Sequence, residues 1–382
     1  MTAQPLPPIP FLDLKAQQAR LHGDVQARIN AVLAHGQYIL GPEVRELEAE
    51  LARFCGAKHC VTVSSGTDAL TIALMAEQIG PGHAVFLPAF TYTATAEVAL
   101  LLGATPVFVD VDPRTFQIDL AHLATRLQQV RAAGRLTPRA IIGVDLFGQP
   151  ADWPALTALA AREGLFTLDD CAQSFGASLH GHRLGTQADA TATSFFPSKP
   201  LGGYGDGGAL FTQSDERATL YRSLRTHGEG ATRYQVERIG MNGRLDTLQA
   251  AVLLSKLTIF AAELARREQI AQIYDRELGP LLATPARVPA STSAWAVYAV
   301  LFPTHAARET AKAALAEAQI GHAIYYPRAL HEQPAYAAAH DGTALPVAEG
   351  LGPRILALPI HPDLTDDQAL RVAAVLRQAL SA

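Results

Sequence analysis

Lys199 stands between an apolar, aromatic run, Thr193-Ser194-Phe195-Phe196-Pro197-Ser198, and a glycine-rich stretch that opens Pro200-Leu201-Gly202-Gly203. A lysine held away from water there favours its neutral form, and a free amine condenses with carbonyl carbon to form an imine. A lone lysine is ordinarily a solvated surface residue, so its company decides. Ser194, five residues earlier, adds a hydroxyl within reach of a phosphate.

Two further segments supply that company. Ser64-Ser65-Gly66-Thr67-Asp68-Ala69-Leu70 reads as a polar turn between a strand and a helix capped at Ser64 or Ser65. Helix-terminal N–H groups and the helix dipole together hold anions, and Gly66 lets one approach closely. An ordinary N-cap is the plainer alternative. Leu168-Asp169-Asp170-Cys171-Ala172-Gln173-Ser174 ends a buried strand, at the sheet edge where parallel sheets bind ligands. Adjacent residues of a strand face opposite ways, so one of Asp169 and Asp170 points at the site; a helix cap or a metal carboxylate is the competing use. An imine-forming amine, a phosphate seat and a carboxylate for a ring nitrogen are together the handles of pyridoxal 5'-phosphate (PLP).

One motif misleads. Gly203-Tyr204-Gly205-Asp206-Gly207-Gly208 fits the dinucleotide pattern G-x-G-x-x-G. That pattern needs a strand before it and a helix opening on it, whereas here a strand-like segment, Ala209 to Thr212, follows. The dehydrogenase reading is rejected.

The elements that position these residues alternate. Cys60 to Val63, Ala84 to Leu87, Pro106 to Val109, Ala140 to Asp145 and Phe166 to Leu168 read as buried strands. Thr67 to Gln78, Thr93 to Leu102 and Trp153 to Glu163 read as helices between them. This is an α/β pattern, with a mostly parallel sheet covered on both faces. Ala190 to Phe196 and Ala209 to Thr212 flank the glycine-rich turn, and a long helix covers about Asp246 to Leu278. A smaller α+β part follows: a strand at Ala296 to Leu301, a helix at His305 to Ala318 and a closing helix at Asp366 to Leu380. The expected division is a large domain, 1–250, and a small C-terminal domain, 251–382. Pro5 to Pro10 reads as an extended N-terminal arm, and His180-Gly181-His182 as a hairpin turn rather than a metal site.

Bulk composition agrees. Of 382 residues, 49% are hydrophobic and 18% charged, enough to bury a large core. A net charge of -5 leaves no basic stripe for a nucleic-acid partner. The N-terminus lacks the features of a secretory leader, and no apolar run approaches membrane-spanning length. Three cysteines, Cys55, Cys60 and Cys171, are an odd set without metal-like spacing. They fit unpaired thiols in a reducing cytoplasm, and no metal is expected.

The ordered motifs resemble the DegT/DnrJ/EryC1/StrS sugar aminotransferases, fold type I PLP enzymes. Ser65-Gly66-Thr67-Asp68-Ala69-Leu70, Asp170-Cys171-Ala172-Gln173-Ser174, Ser194-Phe195-Phe196-Pro197-Ser198-Lys199 and Asn242-Gly243-Arg244-Leu245-Asp246 carry the likeness. It extends from Phe11-Leu12-Asp13-Leu14 to Leu358-Pro359-Ile360-His361-Pro362. The resemblance implies a seven-stranded sheet, with Lys199 as the Schiff-base lysine and proton shuttle and Asp170 on the pyridine nitrogen. It further implies Gln173 beside the ring hydroxyl, Tyr92 on the ring face, and Ser65, Gly66, Thr67 and Ser194 at the phosphate. Asn242 is implied to reach the neighbouring subunit's phosphate, giving a homodimer with a shared site. Arg244 is implied to contact substrate or the neighbouring subunit, and Tyr326 and His331 to contact substrate; His361 is a second histidine beside the pocket, and for both histidines a satisfied structural role is the alternative. Asp206 replaces a frequent Glu, and Tyr325 a frequent His. The expected reaction passes an amino group, L-glutamate being the implied donor, to a nucleotide-linked keto sugar. The nearest likeness is to enzymes acting on UDP-2-acetamido-2-deoxy-3-oxo-glucuronate. Sugar dehydratases on this scaffold carry His in place of the Schiff-base lysine, so Lys199 speaks against that alternative; an intact Lys199, Asp170 and Gln173 set speaks against a non-catalytic regulator.

Overall fold

Side chains at the segment boundaries start and stop the helices as the sequence patterns require. A computed structural model describes residues 7–232 and 234–381. In chain order it contains α1 (Leu14–His35), α2 (Pro42–Cys55), β1 (His59–Val63), α3 (Gly66–Ala76), β2 (His83–Pro88), α4 (Ala94–Leu101), β3 (Thr105–Val109), α5 (Leu120–Ala133), β4 (Thr137–Val144), α6 (Trp153–Glu163) and β5 (Phe166–Asp170). There follow β6 (Ser178–Leu179), β7 (His182–Arg183), β8 (Ala190–Ser194), β9 (Gly208–Thr212), α7 (Asp215–Leu224), α8 (Thr247–Leu278), β10 (Ser291–Thr292), β11 (Tyr298–Leu301), α9 (His305–Glu317), α10 (Pro346–Leu351), β12 (Ile355–Leu358) and α11 (Asp366–Ser381). Ser65 caps α3, accepting from Asp68 N, and Asp152 caps α6 with Pro154 in its first turn. Gly164 ends α6 in the left-handed conformation that glycine adopts without steric cost.

Seven strands form one sheet in the order β1-β9-β8-β5-β4-β2-β3. β9 runs antiparallel to both neighbours, and the other pairings are parallel. This is the mostly parallel seven-stranded sheet expected. Its two faces are buried in separate apolar clusters. One contains Leu70, Phe90 and Ile142, and the other contains Leu47, Phe86 and Trp153. β6 and β7 form the expected hairpin, with Leu179 opposite His182 and His180-Gly181 turning between them. Because β9 follows the glycine-rich turn, the dinucleotide motif is structurally excluded as well. Ile9 of the N-terminal arm bridges Ile320; residues 5 and 6 of that arm lie outside the described residues.

α8 corrects one expectation. By length and composition it is apolar enough to cross a membrane, although the sequence showed no uninterrupted apolar run of that length. Scattered polar residues hid it. In the fold, 56% of its most apolar window is buried, packed against α1, α2 and α11. Ala250 to Leu264 join the cluster on the sheet, whereas Ile270 to Leu278 join a third cluster with α9 and α11. β11 and β12 form a two-stranded sheet that alternates between cores. Ala299, Ile355 and Ala357 enter the large sheet's cluster, while Tyr298, Val300, Leu356 and Leu358 enter the third.

Candidate active site

A cavity of about 430 Å³ opens at the C-terminal ends of the parallel strands. Its walls include Ser65, Gly66 and Thr67 from α3, Asp170 from β5, Gln173, Ser194 from β8, and Lys199. Segments 134 residues apart in the chain meet here because the parallel strands all deliver their C-terminal ends to one rim.

The α3 terminus is built for close approach. Ser65 Oγ takes the N–H of Asp68 at 3.0 Å, which leaves the first-turn N–H groups of Gly66 and Thr67 without helical acceptors. A Cβ at Gly66 would lie 2.7 Å from Ser194 Cβ, so only glycine lets the end of β8 meet this turn. The Ser194 hydroxyl, accepting from Phe196 N at 3.2 Å, therefore stands at the same anion seat.

Asp170 is buried and held on both oxygens. Thr95 Oγ1 donates to Oδ2 at 2.9 Å, and Ala172 N to Oδ1 at 3.3 Å. Burial pushes its carboxyl above the usual range, while the Thr95 bond and the Lys199 charge oppose that rise. Lys199, half-buried on the turn after β8, is pulled below an ordinary lysine by burial, with Asp170 opposing. Its neutral amine is therefore more available for imine formation. Asp169 points to the other face of the sheet, where Thr191 Oγ1 donates to it at 3.2 Å.

Gln173 is fixed at both ends of its amide. Phe147 N donates to Oε1 at 2.7 Å, and Nε2 donates to Tyr326 OH at 3.0 Å. Tyr326 and Tyr92 both line the cavity, their ring centroids 6.3 Å apart. Tyr325 and Asp206, the two departures from the family pattern, also line it. Sequence reasoning missed Thr95; its place one helical turn after Thr91 in Thr91-Tyr92-Thr93-Ala94-Thr95 was the available signal.

Four expected residues lie elsewhere. Asn242 is exposed and bridges Thr226, away from this chain's cavity wall. Arg244 is half-buried, and its Nε is buried without a hydrogen-bond partner. Gly243 between them accepts from Ser64 N at 3.0 Å, so the pair stands behind the turn that opens α3. His331 does not reach the cavity wall. It packs with Phe108 and His340 and meets Glu349 at 3.2 Å, a position that gives no support to substrate contact. His361 is likewise buried outside the wall, although Ile360 beside it contributes.

The chain matches the DegT/DnrJ/EryC1/StrS aminotransferase family over residues 20–377. It belongs to that family. It is 47% identical over 371 residues to the UDP-2-acetamido-2-deoxy-3-oxo-D-glucuronate aminotransferase of Pseudomonas aeruginosa, covering 96% of this chain and 99% of the relative. A crystal structure of a family aminotransferase from Brucella abortus superposes with a TM-score of 0.95 at 45% identity, covering 98% of this chain and all of that one. DesV from S. venezuelae, solved with a ketimine intermediate, superposes at 0.93 with 37% identity, covering 99% and 100%. This family member is a PLP-dependent aminotransferase. The residues fit the cofactor: Gly66, where a Cβ would collide with Ser194, lets the α3 terminus and the Ser194 hydroxyl meet at one cavity wall, and a lysine and a carboxylate share the same cavity.

Proposed function

We propose that this aminotransferase transfers an amino group from an amino acid, L-glutamate, to a nucleotide-linked keto sugar. The sugar proposed is UDP-2-acetamido-2-deoxy-3-oxo-glucuronate, and the product serves surface-polysaccharide synthesis. The cavity that brings Lys199, Asp170 and the α3 terminus together, in a chain 47% identical to the Pseudomonas aeruginosa enzyme, carries the reading.

When bound, PLP supplies an aldehyde for imine formation and a ring that stores the electron pair released at the substrate carbon. Gly66 and Thr67 N–H groups, with the Ser65 and Ser194 hydroxyls, would hold the phosphate. Asp170 would keep a proton on the ring nitrogen, Gln173 would orient the ring hydroxyl, and Tyr92 would cover one face. Lys199 would hold the cofactor through its amine, and the same amine, once free, would move a proton to and from the substrate carbon in each half of the reaction. Tyr326 would contact substrate from the rim.

Among the described residues lining the cavity, Lys199 is the single cation, yet a phosphate and the donor's carboxylates need counter-charges. Exposed Tyr38, Ile39, Phe196 and Tyr204 offer an apolar surface for a second copy. We therefore read the active unit as a homodimer, with Asn242, and Arg244 beside it, serving the neighbouring site. We also read a large and a small domain, but put the changeover later than residue 250, inside α8 between Leu264 and Ile270, where its core partners change. Cys55, Cys60 and Cys171 are unpaired thiols, in keeping with a cytoplasmic enzyme.

A panel of nucleotide keto sugars, with glutamate consumption as readout, tests the reading. Turnover of the 3-oxo-glucuronate well above 4-keto sugars supports it, and preference for a 4-keto sugar overturns the proposed substrate.

A further inference from the structure

Beneath the cavity, on the far side of β5, three side chains converge that the reaction above does not use. Asp145, Asp169 and Cys171 are each fully buried, and their ligand atoms lie within 4.8 Å of one another. Asp145 follows β4 directly, and β4 is paired with β5 so that Gly143 faces Asp169 and Val144 faces Asp170.

The donors around the two carboxyls are unequal. Asp145 Oδ1 accepts from Ala151 N at 2.7 Å and Trp153 Nε1 at 2.9 Å, and Oδ2 accepts from Ser174 Oγ at 3.1 Å. Asp169 Oδ2 accepts from Thr191, but Asp169 Oδ1 is buried with no hydrogen-bond partner. Neither carboxyl has a salt-bridge partner among the described residues. Two adjacent anions in a dry, cation-free site repel strongly. A proton on the unpartnered oxygen, directed at the well hydrogen-bonded neighbour, removes both the repulsion and the unsatisfied atom.

We propose that Asp145 and Asp169 share one proton, carried on Asp169 Oδ1 and donated to Asp145, and that this pair positions Asp170 and Gln173. Burial, with the charges of Asp145 and Asp170, pushes Asp169 well above the usual carboxylate range. Burial raises Asp145 to about 7, with its three donors opposing. The other titratable groups facing the pair are Asp170 and Cys171 of the same segment, with Cys55 of α2 acting on Cys171.

The positioning follows from what Asp145 ties together. Its N–H donates to the carbonyl of Asp170 at 3.2 Å, and its carboxylate holds Ser174. The five residues between those two anchors' ends, 170 to 174, include both Asp170 and Gln173. Phe147, two residues beyond Asp145, donates to Gln173. A metal ion on the same three groups is the competing occupant. It is disfavoured because Asp145 already accepts from Ala151 N, Trp153 Nε1 and Ser174 Oγ, and burial holds Cys171 as a neutral thiol.

Infrared spectra of the PLP-loaded enzyme at neutral pH test the shared proton without reference to turnover. The wild type is expected to show the carbonyl band of one un-ionised carboxylic acid that Asp169→Asn lacks. Asp169→Asn, whose amide N–H replaces the acid O–H, keeps kcat within about threefold, whereas Asp169→Ala lowers kcat about tenfold or more with KM changed little. Absence of the acid band, a stoichiometric metal in the purified enzyme, or Asp169→Ala turning over like wild type would each overturn the proposal. If Asp169→Ala does not fold, the band and Asp169→Asn decide. The positioning half rests on the aminotransferase reading; a band present in a chain without transaminase activity would sink that reading and leave the shared proton standing.

Discussion

Thr95 Oγ1 donates to Asp170 Oδ2 at 2.9 Å, joining the first turns of α4 to the end of β5 across 75 residues of chain. Burial alone would favour a neutral Asp170, and this bond is the largest effect opposing it. Thr95→Val should therefore raise the Asp170 pKa further and lower kcat about ten- to a hundredfold, the loss of one charge-assisted hydrogen bond of about 1.5–3 kcal/mol. Thr95→Ser should restore most of it. Steady-state kinetics with cofactor-binding titrations would separate this from simple loss of PLP.

Gly66 faces a different constraint. A Cβ there meets Ser194 Cβ at 2.7 Å and Ser194 Cα at 3.2 Å, so α3 or β8 must shift. Gly66→Ala is expected to weaken PLP binding at least about tenfold and to cost about 1–3 kcal/mol of stability. Dialysis against free PLP and thermal melts of the cofactor-free protein read the two effects apart.

Lys256 lies on the buried side of α8, 4.5 Å from the Tyr204 ring centroid. Burial lowers its pKa to about 8 from 10.5, with Glu263 opposing. The unfolded chain thus binds this proton more tightly, so the charge costs stability in full below about pH 8. That cost fades as pH rises from 8 toward 10.5. Lys256→Met should raise Tm at pH 7 by an amount worth about 1–3 kcal/mol, and the gain should shrink by pH 10. Glu263 keeps its own partner, Arg20, at 2.6 Å. A gain that does not vary with pH would point to better packing instead.

The proposed shared site predicts complementation. Lys199→Ala should abolish the visible band of lysine-bound cofactor and all turnover, and Asn242→Ala should lose most activity. Mixed dimers of the two contain one site with an intact Lys199 and an intact neighbouring Asn242. Unfolding and refolding an equal mixture should recover up to about a quarter of wild-type activity if chains pair at random. No recovery would mean that each chain completes its own site.

The strands and the Lys199, Asp170 and α3-terminus set were readable because each rests on local chemistry: apolar runs, a cap and a desolvated lysine. α6 begins and ends at the residues expected, Trp153 and Glu163, because Asp152, Pro154 and Gly164 mark both limits. α1 was not read; only Leu21, Val25 and Val32 of its 22 residues are buried, too few to set a periodic pattern. Thr95 and Phe147 were missed for another reason. Their roles depend on which distant strand ends meet, and a hydroxyl or a backbone N–H leaves no mark in sequence until that pairing is known. His331, a motif neighbour of Tyr326 in sequence, turns aside onto Phe108 and Glu349, a placement set by the tertiary fold rather than by its neighbours in sequence.

The two-stranded sheet of β11 and β12 offers each of its faces to a different core. Ala299 and Ala357 complete the cluster that also holds Leu87 and Ile142 of the large sheet, so that cluster is unfinished until residue 357 has been made. Cutting the gene at codon 250 would therefore yield a fragment with an exposed apolar wound rather than a minimal PLP-binding module. For the same reason a nascent chain emerging from the ribosome must wait for its last quarter before the cavity can close, which makes this a poor scaffold to split for reporter assays and a sound one for fusion at its C-terminal helix.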